Sequence, residues 1–236
     1  MSILLDIFSI LSDTYIGGKK IMNYTKTIRN YINDNKGGFF EITYEHSKYF
    51  QIIPAKTLMK VLNRLEEEGL LLKVAKGLYF INDGTEYSEE KLISYYGESN
   101  RGIVIGYPLY NKLEISNHKD NETIIYTNEL GIKSKTVGKI QLRKMNLFRF
   151  EETEKSIITA LEILDKGFDN IIDCDVMKTI QVLQKCVLKY NDFAFEMIIK
   201  NHKYCNTTVF KLSEQLQRLL VSNKCLIIYL KILNEN

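Results

Sequence analysis

No apolar run reaches the roughly 18 residues that a membrane-crossing helix needs, so no such helix is expected. Residues 3–11 are apolar, but they lack a cationic start and contain Asp6, which excludes a secretory signal peptide. Proline is nearly absent, with 2 in 236 residues, while Lys, Asn and Ile dominate. We read this as a low-GC coding bias without functional content. The 4 cysteines, Cys174, Cys186, Cys205 and Cys225, form no C-x-x-C pair. All four have apolar sequence neighbours and are expected to be buried, reduced thiols. His202 and Cys205 have a ligand-like spacing, but no second pair accompanies them, so no metal site is expected. Reduced thiols without a leader fit a cytoplasmic protein.

Catalytic signatures are missing as well. The sequence has no G-x-G-x-x-G, no P-loop, no G-x-S-x-G and no H-E-x-x-H. His46, His118 and His202 have no evident acid or nucleophile beside them. Asp173 and Asp175 form a D-x-D, the kind of pair that holds magnesium in nucleotidyltransferases. That fold needs an upstream Gly-Ser turn, and this chain offers Gly106-Tyr107. The pair also stands where a helix is expected to start, a place that favours acids through the helix dipole. No enzyme and no cofactor are expected.

What is present is a globular composition, 45% hydrophobic and 26% charged, with length enough for two or three domains. The net charge of +3 is too small for wholesale coating of nucleic acid, so any nucleic-acid surface must be local. The basic excess lies in the first two thirds of the chain.

The most informative stretch is residues 53–82. Leu58, Val61, Leu62 and Leu65 fall at i, i+3, i+4 and i+7, which is one face of a helix over residues 54–69. Pro54 suits its first position and Gly69 its end. From Leu70 the period changes: Leu72, Val74, Leu78, Phe80 and Ile81 flank Lys76-Gly77, as in a β-hairpin. Helix, glycine and basic hairpin in that order form the second half of a winged helix-turn-helix. The helix face opposite the leucines carries Lys56, Thr57, Lys60, Asn63 and Arg64, which are long or polar enough to reach phosphates and base edges. Between Glu45 and Glu66 the chain has cations and no acid. A solvated lysine face would explain the helix alone. The three elements together favour nucleic-acid binding.

Around this stretch the chain divides into four parts. Residues 1–21 look like a non-native or disordered extension, with a short helix at 3–11. Gly17-Gly18-Lys19-Lys20 is naturally encoded by a string resembling a ribosome-binding site, which makes Met22 the expected start. Residues 22–84 are the winged helix-turn-helix, with helices at 24–35 and 45–51 ahead of the recognition helix and a strand or turn at 39–43. Residues 85–150 are a small mixed α/β domain with helices at 87–97 and 107–113. Its strands fall at 102–106, 123–127, 135–137 and 139–143. Residues 151–236 form a helical bundle laid over that sheet, its last helix running from 212 to 233. The fold class is α+β. Residues 133–149 hold six cations (Lys133, Lys135, Lys139, Arg143, Lys144 and Arg149) and no acid. They suit either a solvated sheet edge or a surface for an anionic partner.

Residues 53–82 contain R-L-x-x-x-G-x-L-x-x-x-x-x-G-x-Y, carried by Arg64, Leu65, Gly69, Leu71, Gly77 and Tyr79. This resembles the N-terminal winged helix of AbiE-type antitoxins. Gly106-Tyr107, Leu109 and Leu113, then IIYTN at 124–128 and VGKIQLRKM at 137–145, resemble that family's second domain. The resemblance covers residues 24–146; the rest matches only as a similar helical tail. It implies an antitoxin of an abortive-infection, type IV toxin–antitoxin pair. Such a protein binds inverted repeats of double-stranded DNA in its own promoter and represses the operon. It also counters a nucleotidyltransferase-like toxin, usually without forming a stable complex. A monomer in solution with two copies on DNA is implied. The resemblance adds Lys73 and Lys76 of the wing to Lys56, Thr57, Lys60 and Arg64 as DNA-binding residues. Family members often begin the recognition helix with Ser and Arg; here Ile53-Pro54-Ala55-Lys56 stand instead, so the DNA sequence read is expected to differ. The alternatives are a winged helix that packs against a protein partner, or a regulator with no antitoxin role.

Overall fold

The computed structural model describes residues 14–16, 19–21 and 23–235. The expected helix at 3–11 and the expected start at Met22 lie outside the described residues. The protein is mixed α+β and divides into two compact units between Tyr87 and Ser88. Within residues 1–21, β1 (Thr14–Ile16) pairs antiparallel with β2 (Lys19–Ile21). Among the described residues no helix is long and apolar enough to cross a membrane.

In the first unit, α1 (Tyr24–Asp34) starts where Asn23 Oδ1 accepts the Lys26 N–H at 3.0 Å, and it buries Ile28 and Ile32. β3 (Phe39–Glu41) runs straight into α2 (Ile42–Lys48). Glu41 accepts the Tyr44 N–H at 2.8 Å, so this helix begins at Ile42, ahead of the expected Glu45. Glu45 is buried, and the Tyr31 hydroxyl donates to it at 2.6 Å.

α3 (Ala55–Glu67) buries Leu58, Val61, Leu62 and Leu65, the stripe read from the sequence. Pro54 stands one residue outside the helix, and its carbonyl accepts the N–H groups of Thr57 and Leu58 at 2.8 and 3.0 Å. The helix ends in a Schellman motif: the Gly69 N–H donates to Glu66 O and the Leu70 N–H to Leu65 O, both at 2.9 Å. Gly69 has φ +75°, which a residue with a Cβ adopts only at a cost. The chain then enters β4 (Leu71–Ala75) and β5 (Leu78–Ile81), joined by Lys76-Gly77 with a bulge after Lys73. β3 pairs with β5, giving an antiparallel sheet of order β3-β5-β4. Phe40, Leu71, Tyr79 and Ile81 close the core over the α3 stripe.

The second unit opens with α4 (Glu89–Ile93), capped by the Ser88 hydroxyl, and a π-helical turn at Ser94–Glu98. Its strands are β6 (Gly102–Ile105), β7 (Thr123–Thr127), β8 (Ser134–Val137) and β9 (Ile140–Lys144), in sheet order β6-β7-β9-β8. Only β7 and β9 are parallel. α5 (Tyr107–Lys112) follows β6 directly. The strand period of two gives the sheet two unlike faces. Ile103, Ile105 and Tyr126 face a layer made by α6 (Glu152–Lys166), α7 (Val176–Val187), α8 (Asp192–Asn201), α9 (Asn206–Arg218) and α10 (Cys225–Glu235). Val104 and Ile125 face the other way, toward the π-helical turn. A Cβ on Gly97 would lie 2.5 Å from Val104 Cγ2, so only glycine admits that approach. One hydrophobic core draws on both sides of residue 150, joining Ile103 and Met145 to Leu161, Phe195 and Tyr229.

Three expectations need correcting. The expected helix at 87–97 is a short α-helix followed by the π-helical turn, whose Gly97 lies against Val104 of the sheet. Cys205 is exposed rather than buried, while Cys225 is buried and Cys174 and Cys186 half-buried. The helix expected at 212–233 is two helices. α9 ends in its own Schellman motif, with Leu220 N–H to Gln217 O at 3.0 Å and Val221 N–H to Leu216 O at 2.9 Å. The left-handed position is occupied by Leu220, φ +54°, whose side chain is 92% exposed. The period of apolar residues continues past this break, and no glycine marks it.

That leucine yields a stability prediction. A left-handed non-glycine residue costs roughly 1–2 kcal/mol, whereas glycine adds roughly 0.5–1 kcal/mol of unfolded-state entropy. Leu220 buries almost nothing, so Leu220→Gly is expected to raise unfolding stability by about 0.5–1 kcal/mol. Urea denaturation checks the sign, and a loss of stability would show that Leu220 is held by something other than its turn.

Candidate nucleic-acid interface

Burying the four apolar residues of α3 leaves Lys56, Lys60, Asn63 and Arg64 exposed and Thr57 half-buried. Lys73 on β4 and Lys76 in the turn after it are also exposed. The acids at the far end of α3 do not all oppose this charge. Glu68 is bridged by Arg29 at 2.6 Å, and that hydrogen-bonded pair holds its carboxyl below the usual range. Lys48 on α2 lies over the rings of Tyr44 and Tyr49, 4.8 and 5.1 Å from their centroids. The seven sequence-derived residues therefore all sit on α3 and the hairpin that follows it. Three exposed apolar side chains lie among or beside them: Ile52, Met59 and Leu72.

The second basic stretch does not form one surface. β8 is an edge strand, and Lys133 and Lys139 are exposed at its two ends. Lys135 and Lys144 share the sheet face of Ile140 and Leu142, and both are half-buried. Arg143 points to the opposite face, beside Tyr126. Its Nε and Nη2 donate to Gln141 Oε1 at 2.9 and 2.7 Å. Arg149 lies beyond the sheet, 3.8 Å from Glu151 and over the Phe148 ring.

Following Arg143 leads to a polar cleft that the sequence did not disclose. Its volume is about 310 Å³, and it opens between the end of β6, the start of α5 and the C-terminal turns of α6 and α8. Glu162 stands in its wall. Tyr204 donates to Glu162 Oε1 at 2.8 Å, and the Tyr126 hydroxyl lies 3.4 Å from the same oxygen. Tyr126 also lies 3.3 Å from His202 Nε2, so His202, lacking any evident partner in the sequence, belongs to a half-buried hydrogen-bonded chain. Asp165, one turn on, accepts from Thr208 at 2.6 Å. Cys205 bonds to Thr207 and Thr208, and its thiol lies 3.5 Å from Asp165 Oδ1. Among the described residues no group of three His, Cys, Asp or Glu is placed to hold a metal ion. Asp175 is the N-cap of α7 and accepts the Lys178 N–H at 2.9 Å. The cleft was hidden because its members come from five separate stretches, and Glu162 is indistinguishable in sequence from any other helix carboxylate.

Burial dominates the electrostatics of this cleft. It pushes the Glu162 carboxyl up to about 6, against the opposing pull of the Tyr204 hydrogen bond. Burial likewise pushes the Tyr126 and Tyr204 hydroxyls up and the His202 imidazole down. Since the folded carboxyl holds its proton more tightly than the unfolded one, its contribution is complete at low pH. It is lost as pH rises from about 4.5 to about 6. At 1.36 kcal/mol per unit the loss is about 2 kcal/mol. Glu162→Gln is therefore expected to gain up to about that much relative to the parent between pH 4.5 and pH 7. Urea denaturation at the two pH values measures it; a parent-to-variant difference that does not move with pH rules out a buried, titrating Glu162. Comparison with family models and with curated proteins gives no match for this chain.

Proposed function

We propose that residues 24–87 form a winged helix-turn-helix that reads double-stranded DNA, with α3 as recognition helix and the β4–β5 hairpin as wing. The observation that carries this reading is the outward set Lys56, Lys60, Asn63 and Arg64, held by an inward stripe that leaves α3 no other way to face. Lys73 and Lys76 on the hairpin extend the same positive charge. The order α1, β3, α2, α3, β4, β5 supports the winged-helix assignment. With the resemblance to AbiE-type antitoxins, the reading becomes an autorepressor bound as two copies to inverted repeats in its own promoter. Its second unit counters a nucleotidyltransferase-like toxin. Gly106-Tyr107, the IIYTN segment and the VGKIQLRKM segment all fall in that unit, within β6–α5, β7 and β8–β9, which supports assigning neutralisation there.

A second reading has its own observation. Ile52, Met59 and Leu72 are exposed, and Met59 shares the outward face of α3 with Lys56, Lys60 and Asn63. Apolar side chains on that face suit a protein partner better than a phosphate backbone. Salt separates the two, because counterion release makes DNA binding fall steeply with added salt and apolar packing does not.

Lys60→Ala and Arg64→Ala remove exposed side chains, so both variants are expected to fold normally. Each is expected to lose about 1–3 kcal/mol of binding to a promoter fragment if it reads a base, measured by mobility shift across a salt series. Parental affinity in both would overturn the recognition-helix reading. The edge cations are tested separately. Lys133→Ala with Lys139→Ala should leave promoter binding and its salt slope unchanged while weakening protection in cells expressing the toxin. A shallower salt slope would instead make that edge part of the DNA footprint.

A further inference from the structure

Helix α10 is apolar on every side: from Cys225 to Leu233 its only charged residue is Lys231. A helix that is hydrophobic all round is ordinarily covered all round. Here one side is covered. Cys225, Tyr229 and Ile232 are buried in the core, and Leu226 and Ile228 are half-buried at its margins. Ile227, Leu230 and Leu233 are exposed, Ile227 by 69% and Leu230 by 52%. Their spacing sets all three along one flank of the helix. The Lys224 N–H donates to Asp192 Oδ1 at 2.8 Å, so the exposed Phe193 extends the apolar surface at the start of α10. We propose that this outer face of α10 pairs with the same face of a second copy of the chain, antiparallel about a two-fold axis at Leu230. The pairing concerns the second unit and does not rest on the duplex-DNA reading of the first.

Charge selects the occupant and the direction. The apolar face is bounded by a cation where it starts, Lys224, and by an acid where it ends, Glu235, and both are exposed. Glu235 is held within its own helix only by Lys231, at 3.9 Å. With the axis at Leu230, Leu230 meets Leu230 of the second copy and Ile227 meets its Leu233. Lys224 then comes level with the end of the other helix, beside Glu235, and symmetry makes that contact twice. The antiparallel direction also sets the positive end of each helix dipole beside the negative end of the other. A parallel pair would instead bring Lys224 against Lys224 and Glu235 against Glu235. Opposite charges at mirror positions about the middle of one apolar face make that face complementary to itself, which a partner of unrelated sequence does not require. A standard interface takes roughly 20–30 residues a side, and one helix face with its flank supplies fewer, so the dissociation constant is expected to be on the order of 10–100 µM.

Sedimentation equilibrium of the full chain without DNA, from about 5 µM to about 500 µM, tests this. A reversible monomer–dimer equilibrium is expected, with no larger species, because a two-fold contact closes at two copies. Leu230→Glu brings two carboxylates together across the axis. At an exposed position it should keep the parent's circular dichroism and lower association by about ten-fold or more. Lys224→Glu and Glu235→Lys should each weaken association, and the two together should restore it. A parent chain that stays monomeric throughout this range overturns the proposal and leaves the face to a different partner. So does open-ended association, a Leu230→Glu variant that associates as the parent does, or a double reversal no stronger than either single one. The charge reversals decide the matter if Leu230→Glu does not fold.

Discussion

Leu58, Val61, Leu62 and Leu65 must leave water together, and the first unit is built on that demand. Burying four such side chains contributes on the order of 6–12 kcal/mol, far more than any preference of the exposed residues for a particular direction. The stripe turns one face of α3 to the core and so turns Lys56, Lys60, Asn63 and Arg64 to solvent. The Schellman motif at Gly69 then reverses the chain into the hairpin, carrying Lys73 and Lys76 with it. The positive surface is thus a consequence of hydrophobic burial.

The second unit rests on a different period. Alternation along β9 sends Gln141 and Arg143 to the helix-covered face and Ile140, Leu142 and Lys144 to the other. A run that reads as uniformly basic is divided between two environments by adjacent peptide units. The face that receives Arg143 also receives Tyr126, and α6 brings Glu162 to meet them. Polar side chains enclosed in this way need partners, and the tyrosine, histidine and carboxylate groups supply them to one another.

The two units thus offer different chemistry on one chain. One presents long cations to solvent. The other lines an open cleft with acids, cations and aromatic rings, of which Asp120, Asp165 and Lys166 are exposed to solvent.

Much of the first unit was legible because its information is local. The i, i+3, i+4, i+7 leucines, Gly69 and the Lys76-Gly77 turn lie within one short stretch, and each acts on its immediate neighbours. The break at Leu220 was not legible, because a leucine in the left-handed position has no sequence signature and the apolar period runs on through it. Nor was the cleft, since Tyr126, Arg143, Glu162, His202 and Tyr204 gain their character only from one another. By itself, the sequence determined the α3 stripe, the basic face opposite it and the hairpin, because backbone period and turn chemistry act over a few residues. Only the tertiary structure decided that Arg143 and Lys144 part company and that Glu162 sits high in its proton affinity. Which face of a strand is covered, and what a carboxylate is buried against, depend on segments that meet only when the chain has folded.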